Sequence, residues 1–156
     1  MKGNDKVVDH LNARLAEELS AINQYMVHSE MSENWKYEQL HKAIEKRAMV
    51  EMKHAEKLIE RILFLEGRPI VNKLTDINIG ADVPAIHEYD HAAEQTAING
   101  YNESIRIAVE EGDNGTRDIL SSILKEEEEH IDWIEGQFDQ IKQMGLENYL
   151  AEQIYT

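Results

Sequence analysis

The sequence predicts an all-α protein, a bundle of four long helices with one long crossover between the second and third and a short fifth helix at the C-terminus. Three observations carry this. Among 156 residues there are only two prolines and eight glycines, and most of the glycines fall where the apolar spacing breaks. Apolar side chains recur at steps of three and four over stretches of about thirty residues, which is the helical period. The interval between the second and third stretches is far longer than the tight breaks elsewhere.

The first helix covers about 4–33, with Leu11, Leu15, Ile22 and Tyr25 on one seam, and Ser32-Glu33-Asn34 breaks it before Trp35. The second, about 36–66, repeats Ile44, Ala48, Ala55, Leu58, Ile62 and Leu65 and meets a stop at Gly67-Arg68-Pro69. Residues 68–81 show no clear helical period. The third helix starts at Asp82, an N-cap with Pro84 in the first turn, and reaches Gly112. Asp113 or Asn114 caps the fourth, whose seam is Leu120, Leu124, Ile131, Ile134, Phe138 and Ile141, and which ends near Gly145. Leu146 to Thr156 is long enough for one more small helix. A connection of some 14 residues can run the length of a bundle, so helices two and three are expected to be parallel and each tightly joined pair antiparallel, the ferritin-like connectivity.

Composition narrows the partners. At 42% apolar residues the chain can bury a full core as one domain over 1–156. It has no cysteine, which excludes disulfides, thiolate metal sites and cysteine nucleophiles. The net charge of −15 disfavours nucleic acid and anionic membranes and favours cations. Met1-Lys2-Gly3-Asn4-Asp5 has no apolar signal core and no window is apolar enough to span a membrane, so the expected location is the cytoplasm.

The chemistry shows as charged residues placed on apolar seams. Glu18 interrupts the first seam, Glu51 the second with His54 three residues on, and Glu127 the fourth with His130 three residues on. On the third helix Glu94 falls between Ala93 and Ala97, on its most apolar side. Glu18 and Glu51 are 33 residues apart, as are Glu94 and Glu127, and the two sets are offset by 76. Each half of the chain therefore offers a lone Glu and an antiparallel Glu-x-x-His, a pseudo-two-fold set of metal ligands. Glu38 and His41 have the same local motif but no copy 76 residues later, where Asn114 and Arg117 stand, and read as surface. His87 and His91, at i and i+4 near a helix start, are spaced as a cation pair but read more readily as exposed.

Four carboxylates buried together need neutralisation. Two divalent cations match four glutamates, and neutral His54 and His130 add ligands without charge. Such a set suits iron or manganese, with Glu51 and Glu127 placed to bridge and Glu18 and Glu94 terminal. Tyr25, on the seam of Glu18, reads either as a core tyrosine or as a group beside the metals. Met52, one residue and about 100° round the helix from Glu51, faces the other way and on spacing alone reads as interface packing.

The segments Glu18-Leu19-Ser20-Ala21-Ile22-Asn23-Gln24-Tyr25, Glu51 to Ile62, Glu127-Glu128-Glu129-His130-Ile131-Asp132 and Gly145-Leu146-Glu147-Asn148-Tyr149-Leu150 resemble the bacterioferritins, and the resemblance covers essentially the whole chain. It implies a homo-oligomeric shell of 24 subunits built from dimers, storing iron after oxidising Fe(II) with O2 or peroxide at a di-iron centre of two Fe per subunit. The implied ligands are Glu18, Glu51, His54, Glu94, Glu127 and His130. It further implies haem b shared between two subunits through Met52, and reductive iron release with a ferredoxin as electron donor. Where some members carry a His and an Asp on the inner face of the second helix, this chain has Lys46 and Val50, which puts an extra inner iron site in doubt. The rivals are a di-iron oxidase or dimanganese catalase on the same bundle without mineral storage, and a helical bundle that uses its Glu-x-x-His pairs for polar packing alone.

Overall fold

In the computed structural model, which describes residues 1–155, the chain forms five helices and, among the described residues, no strand. They are α1 (Asp5–Asn34), α2 (Glu38–Phe64), α3 (Val83–Glu110), α4 (Asn114–Met144) and α5 (Leu146–Glu152). The side chain of Asn4 accepts from the Lys6 and Val7 amides at the start of α1. Asp82 accepts from the Ala85 amide and Asp113 from the Thr116 amide, so the caps of α3 and α4 fall where the sequence puts them.

The end of α2 differs from expectation. The helix stops at Phe64, and Glu66, not Gly67, takes the left-handed turn, with φ 61°. Gly67 is required for space instead, since a Cβ there would stand 2.7 Å from Val8 Cγ1.

Chain direction follows from the hydrogen bonds. Gly3 donates to the Leu65 carbonyl, so α2 ends where α1 begins. The crossover then climbs along α1: Asn12 accepts from the Ile70 amide, Ser20 from Thr75, Gln24 from Asn78 and His28 from Gly80. These four α1 residues lie at helical steps of eight, four and four, a polar stripe that satisfies a connection with no secondary structure of its own. From the far end α3 returns antiparallel to α1, which makes it parallel to α2. The single crossover is thus the one the sequence predicts.

The α1–α2 and α3–α4 pairs pack most closely, and the apolar core they enclose is divided. One cluster gathers Leu11, Leu15, Leu58, Ile62, Tyr101, Leu120 and Ile123; the other gathers Tyr25, Leu40, Ile44, Val83, Ile86 and Tyr149. The charged seam residues lie between them. α5 is pinned by Tyr149, whose hydroxyl donates to Gln137 and lies 3.0 Å from His87 Nε2.

Candidate metal centre

All six sequence-predicted residues meet in the buried middle of the bundle, one or two from each long helix. They form two overlapping groups, each with ligand atoms mutually within 4.8 Å: Glu18, Glu51, His54 and Glu127, and Glu51, Glu94 and His130. Glu51 belongs to both and stands between two cation positions.

The donor atoms fit cations. Glu18 Oε2, Glu51 Oε1, Glu94 Oε2 and His130 Nδ1 are buried with no hydrogen-bond partner. Leaving such atoms unmade costs about 1–3 kcal/mol each, which is explicable where a cation is to be accepted. His130 Nδ1 is 2.9 Å from Glu94 Oε1 but lacks hydrogen-bond geometry, so proximity alone does not satisfy it. His54 turns Nδ1 toward Glu127, Glu18 and Glu51, while its Nε2 is 2.7 Å from Glu126 Oε2. A proton held on Nε2 by Glu126 leaves the Nδ1 lone pair facing the cluster.

Electrostatics divides the carboxylates. Burial, with repulsion from neighbouring glutamates, pushes Glu18 and Glu94 well above the usual carboxylate range. Burial acts the same way on Glu51, yet hydrogen bonds with Glu18 and His54 and the charge of Arg47 hold it down at about 2. His54, despite burial, is raised to about 12 by Glu127, Glu18 and Glu51. Burial and mutual repulsion thus raise Glu18 and Glu94, whereas Glu51 is held low. A metal at His54 therefore competes with a proton that the surrounding glutamates favour.

The sequence reading missed three participants. Tyr101 donates to Glu18 Oε1 at 2.5 Å, as Tyr25 does to Glu94. Glu126 orients His54. Arg47 reaches in from α2, its Nη2 2.6 Å from Glu51 Oε1 and 3.0 Å from Glu127 Oε2. Tyr101 was readable as Tyr25 moved by the 76-residue offset, and Arg47 as one turn before Glu51; an arginine on a helix is ordinarily solvated, and the signal was weak.

Other expectations are corrected. His41 is buried, not on the surface, and it bonds Ser29. It groups with Glu30 and Glu33, the first of them exposed, rather than with Glu38. His87 is buried against Tyr149, while His91 pairs with Glu135. Met52 is 36% exposed on the face of α2 turned away from the cluster, one turn after the exposed Met49. A cavity of about 250 Å³, lined by Glu18, Glu51, Glu94 and Glu127 together with Thr75, Asp76 and Asn78 of the crossover, connects the cluster with the α1–α3 side.

An antiparallel bundle with one crossover, presenting two carboxylate-imidazole groups that share a glutamate, defines the class of dimetal-carboxylate bundle proteins. The chain matches the ferritin-like domain over residues 8–144. It is 38% identical over 149 residues to a bacterioferritin of Rhodobacter capsulatus, covering 96% of this chain and 92% of that protein. It is 39% identical over 155 residues to bacterial ferritins of Synechocystis and Pseudomonas aeruginosa, covering 99% of this chain and 99% and 100% of theirs. The chain belongs to the ferritin-like family, among the bacterioferritins and bacterial ferritins. No helix among the described residues is long and apolar enough to cross a membrane.

Proposed function

We propose that this is an iron-storage protein that oxidises Fe(II) at the four-carboxylate, two-histidine centre and keeps the ferric product as mineral inside a cytoplasmic 24-subunit shell. The observation that carries the reading is the set of orphaned atoms on Glu18, Glu51, Glu94 and His130, aimed from four helices into two positions that share Glu51. Membership of the ferritin-like family supports the storage role over an oxidase or catalase without mineral.

Fe(II) is the substrate. Glu18 and His54 serve one position, Glu94 and His130 the other, with Glu51 and Glu127 between them. Two Fe(II) each give up one electron. Hydrogen peroxide takes both, with two protons, and leaves as two waters; O2 takes both, with two protons, and leaves as hydrogen peroxide. Hard carboxylate oxygens favour the higher charge of Fe(III) over Fe(II), and the apolar clusters above and below confine access to the pair to the sides of the bundle.

Haem b belongs to the same proposal through Met52. The exposed thioether has the soft donor chemistry haem iron accepts, and Met49 beside it offers apolar surface. Supplied by two subunits across a two-fold axis, Met52 would hold a haem able to pass electrons inward when stored iron is reduced by a ferredoxin.

The test is stopped-flow oxidation of Fe(II) in air by Glu51→Ala and Glu127→Ala. Both are expected to lose the fast phase while sedimentation still shows a large hollow particle. Fast oxidation retained in both variants would overturn the assignment, and a wild-type particle no larger than a dimer would overturn storage.

A further inference from the structure

We propose that Arg47 is a built-in cation of this centre, occupying the Glu51–Glu94–His130 position in the metal-free protein and leaving it only when the second metal binds. The inference rests on the dimetal reading and deepens it, because it makes the two positions unequal.

The guanidinium is in an unusual place. Arg47 lies one helical turn before Glu51, and its side chain is only 10% exposed. Nη2 faces carboxylates from three helices: Glu51 Oε1 at 2.6 Å, Glu127 Oε2 at 3.0 Å and Glu94 Oε2 at 3.8 Å. Glu51 Oε1 and Glu94 Oε2 are two of the atoms left without hydrogen bonds, so the charge sits among the lone pairs a metal would use. It is also off-centre. Its closest contacts, Glu51 and Glu127, also serve the Glu18–His54 position; the asymmetry lies in the end ligands, because Glu94 is within reach of the guanidinium and His130 lines the same groove, whereas Glu18 has no ion pair with it.

A divalent metal and a guanidinium cannot share those oxygens. Metal–oxygen bonds of about 2.0–2.2 Å would bring like charges close together inside a poorly screened interior. The first metal therefore binds beside Glu18 and His54, and the second binds only as Arg47 withdraws. Its way out is visible. Arg47 lines a groove between α2 and α4 with Val50, Glu126, Glu129 and His130. Its Nη1 already donates to the Glu126 carbonyl on that wall at 3.2 Å. The Glu126 and Glu129 carboxylates can receive the displaced charge, and rotation about side-chain bonds is all the movement needed.

Breaking the charge-assisted hydrogen bond to Glu127 and the ion pair with Glu51 to make room should weaken the second metal by about ten- to a hundredfold. The test is titration of the assembled, metal-stripped protein with Co(II), which stays divalent in air, followed by visible absorbance and calorimetry. Wild type is expected to take two Co(II) per chain in two steps, the first at least about tenfold tighter. In Arg47→Gln the second step should tighten by about tenfold or more while the first barely moves. Arg47→Lys, which keeps the charge and guards against misfolding of the neutral variant, should retain two unequal steps.

Melting provides an independent readout. Metal-free Arg47→Gln should melt below wild type, and Co(II)-loaded Arg47→Gln at or above it; a residue that merely packs would lower both. Two equal steps in wild type, or a second step that Arg47→Gln leaves unchanged or weakens, would overturn the role of Arg47 and leave the dimetal reading standing. Fewer than two Co(II) per chain in wild type would overturn both.

Discussion

Tyr25 and Tyr101 exchange partners across the bundle: Tyr25, on α1, donates to Glu94 of α3, and Tyr101, on α3, donates to Glu18 of α1. Each tyrosine follows the glutamate of its own helix by seven residues, and the two are separated by the same 76 residues that separate Glu18 from Glu94. The repeat thus extends from the proposed ligands to the groups that orient them. Tyr101→Phe should weaken the first Co(II) step and Tyr25→Phe the second, each by about tenfold, as read by the same titration. Equal effects of both variants on both steps would contradict the crossed pairing.

Met52 lies on the face of α2 turned away from the carboxylate cluster, so the proposed haem and metal sites should be separable. Met52→Leu is expected to abolish the Soret band of purified protein, near one haem per two chains in wild type, and to leave Co(II) stoichiometry and Fe(II) oxidation unaltered. Release of stored iron through a reduced ferredoxin should slow. Haem retained with an unchanged spectrum would make Met52 a packing residue.

Acid should loosen the end of the bundle held by His87. Burial pushes this imidazole down to about 4, against the pull of Asp90, so the folded state favours the neutral ring. Unfolded, the ring titrates near 6.5. Its contribution is therefore complete above pH 6.5 and is lost as pH falls from 6.5 toward 4, by about 3 kcal/mol in all. Urea unfolding of His87→Gln at pH 7, 5.5 and 4.5 should show a shallower acid decline than wild type, and identical slopes would refute the assignment.

Gly80 is placed by the chain behind it. Its amide donates to His28 Nε2, and a Cβ at this position would stand 2.4 Å from the Ile86 amide nitrogen. Backbone cannot yield as a side-chain tip does, so Gly80→Ala should cost about 1–3 kcal/mol and lower the melting temperature without changing metal stoichiometry. A melting temperature equal to wild type would show that the first turn of α3 shifts freely.

The helices and the six cluster residues were legible because both follow from local periodicity: a seam needs only steps of three and four, and a charge on it stands out. What escaped depended on partners distant in sequence. His28 is unassignable by spacing, yet it is buried between Asp90 and the crossover amide of Gly80. Glu126 is one of four consecutive glutamates, and only the position of His54 across the bundle separates it from the others. Gly67 is needed not for the left-handed turn, which Glu66 takes, but because Val8 of another helix leaves no room for a Cβ there, a cause that no local motif records.

The division of the apolar core into two clusters has a mechanical meaning. A continuous stack of leucines would weld the bundle end to end, but here two oily plugs are separated by a belt of acids, imidazoles, tyrosines and one guanidinium, whose cohesion changes with what it holds. Cargo and cement would then be the same ions: metal uptake should stiffen the waist of each subunit, and amide exchange across the middle of all four helices should slow as metal is taken up.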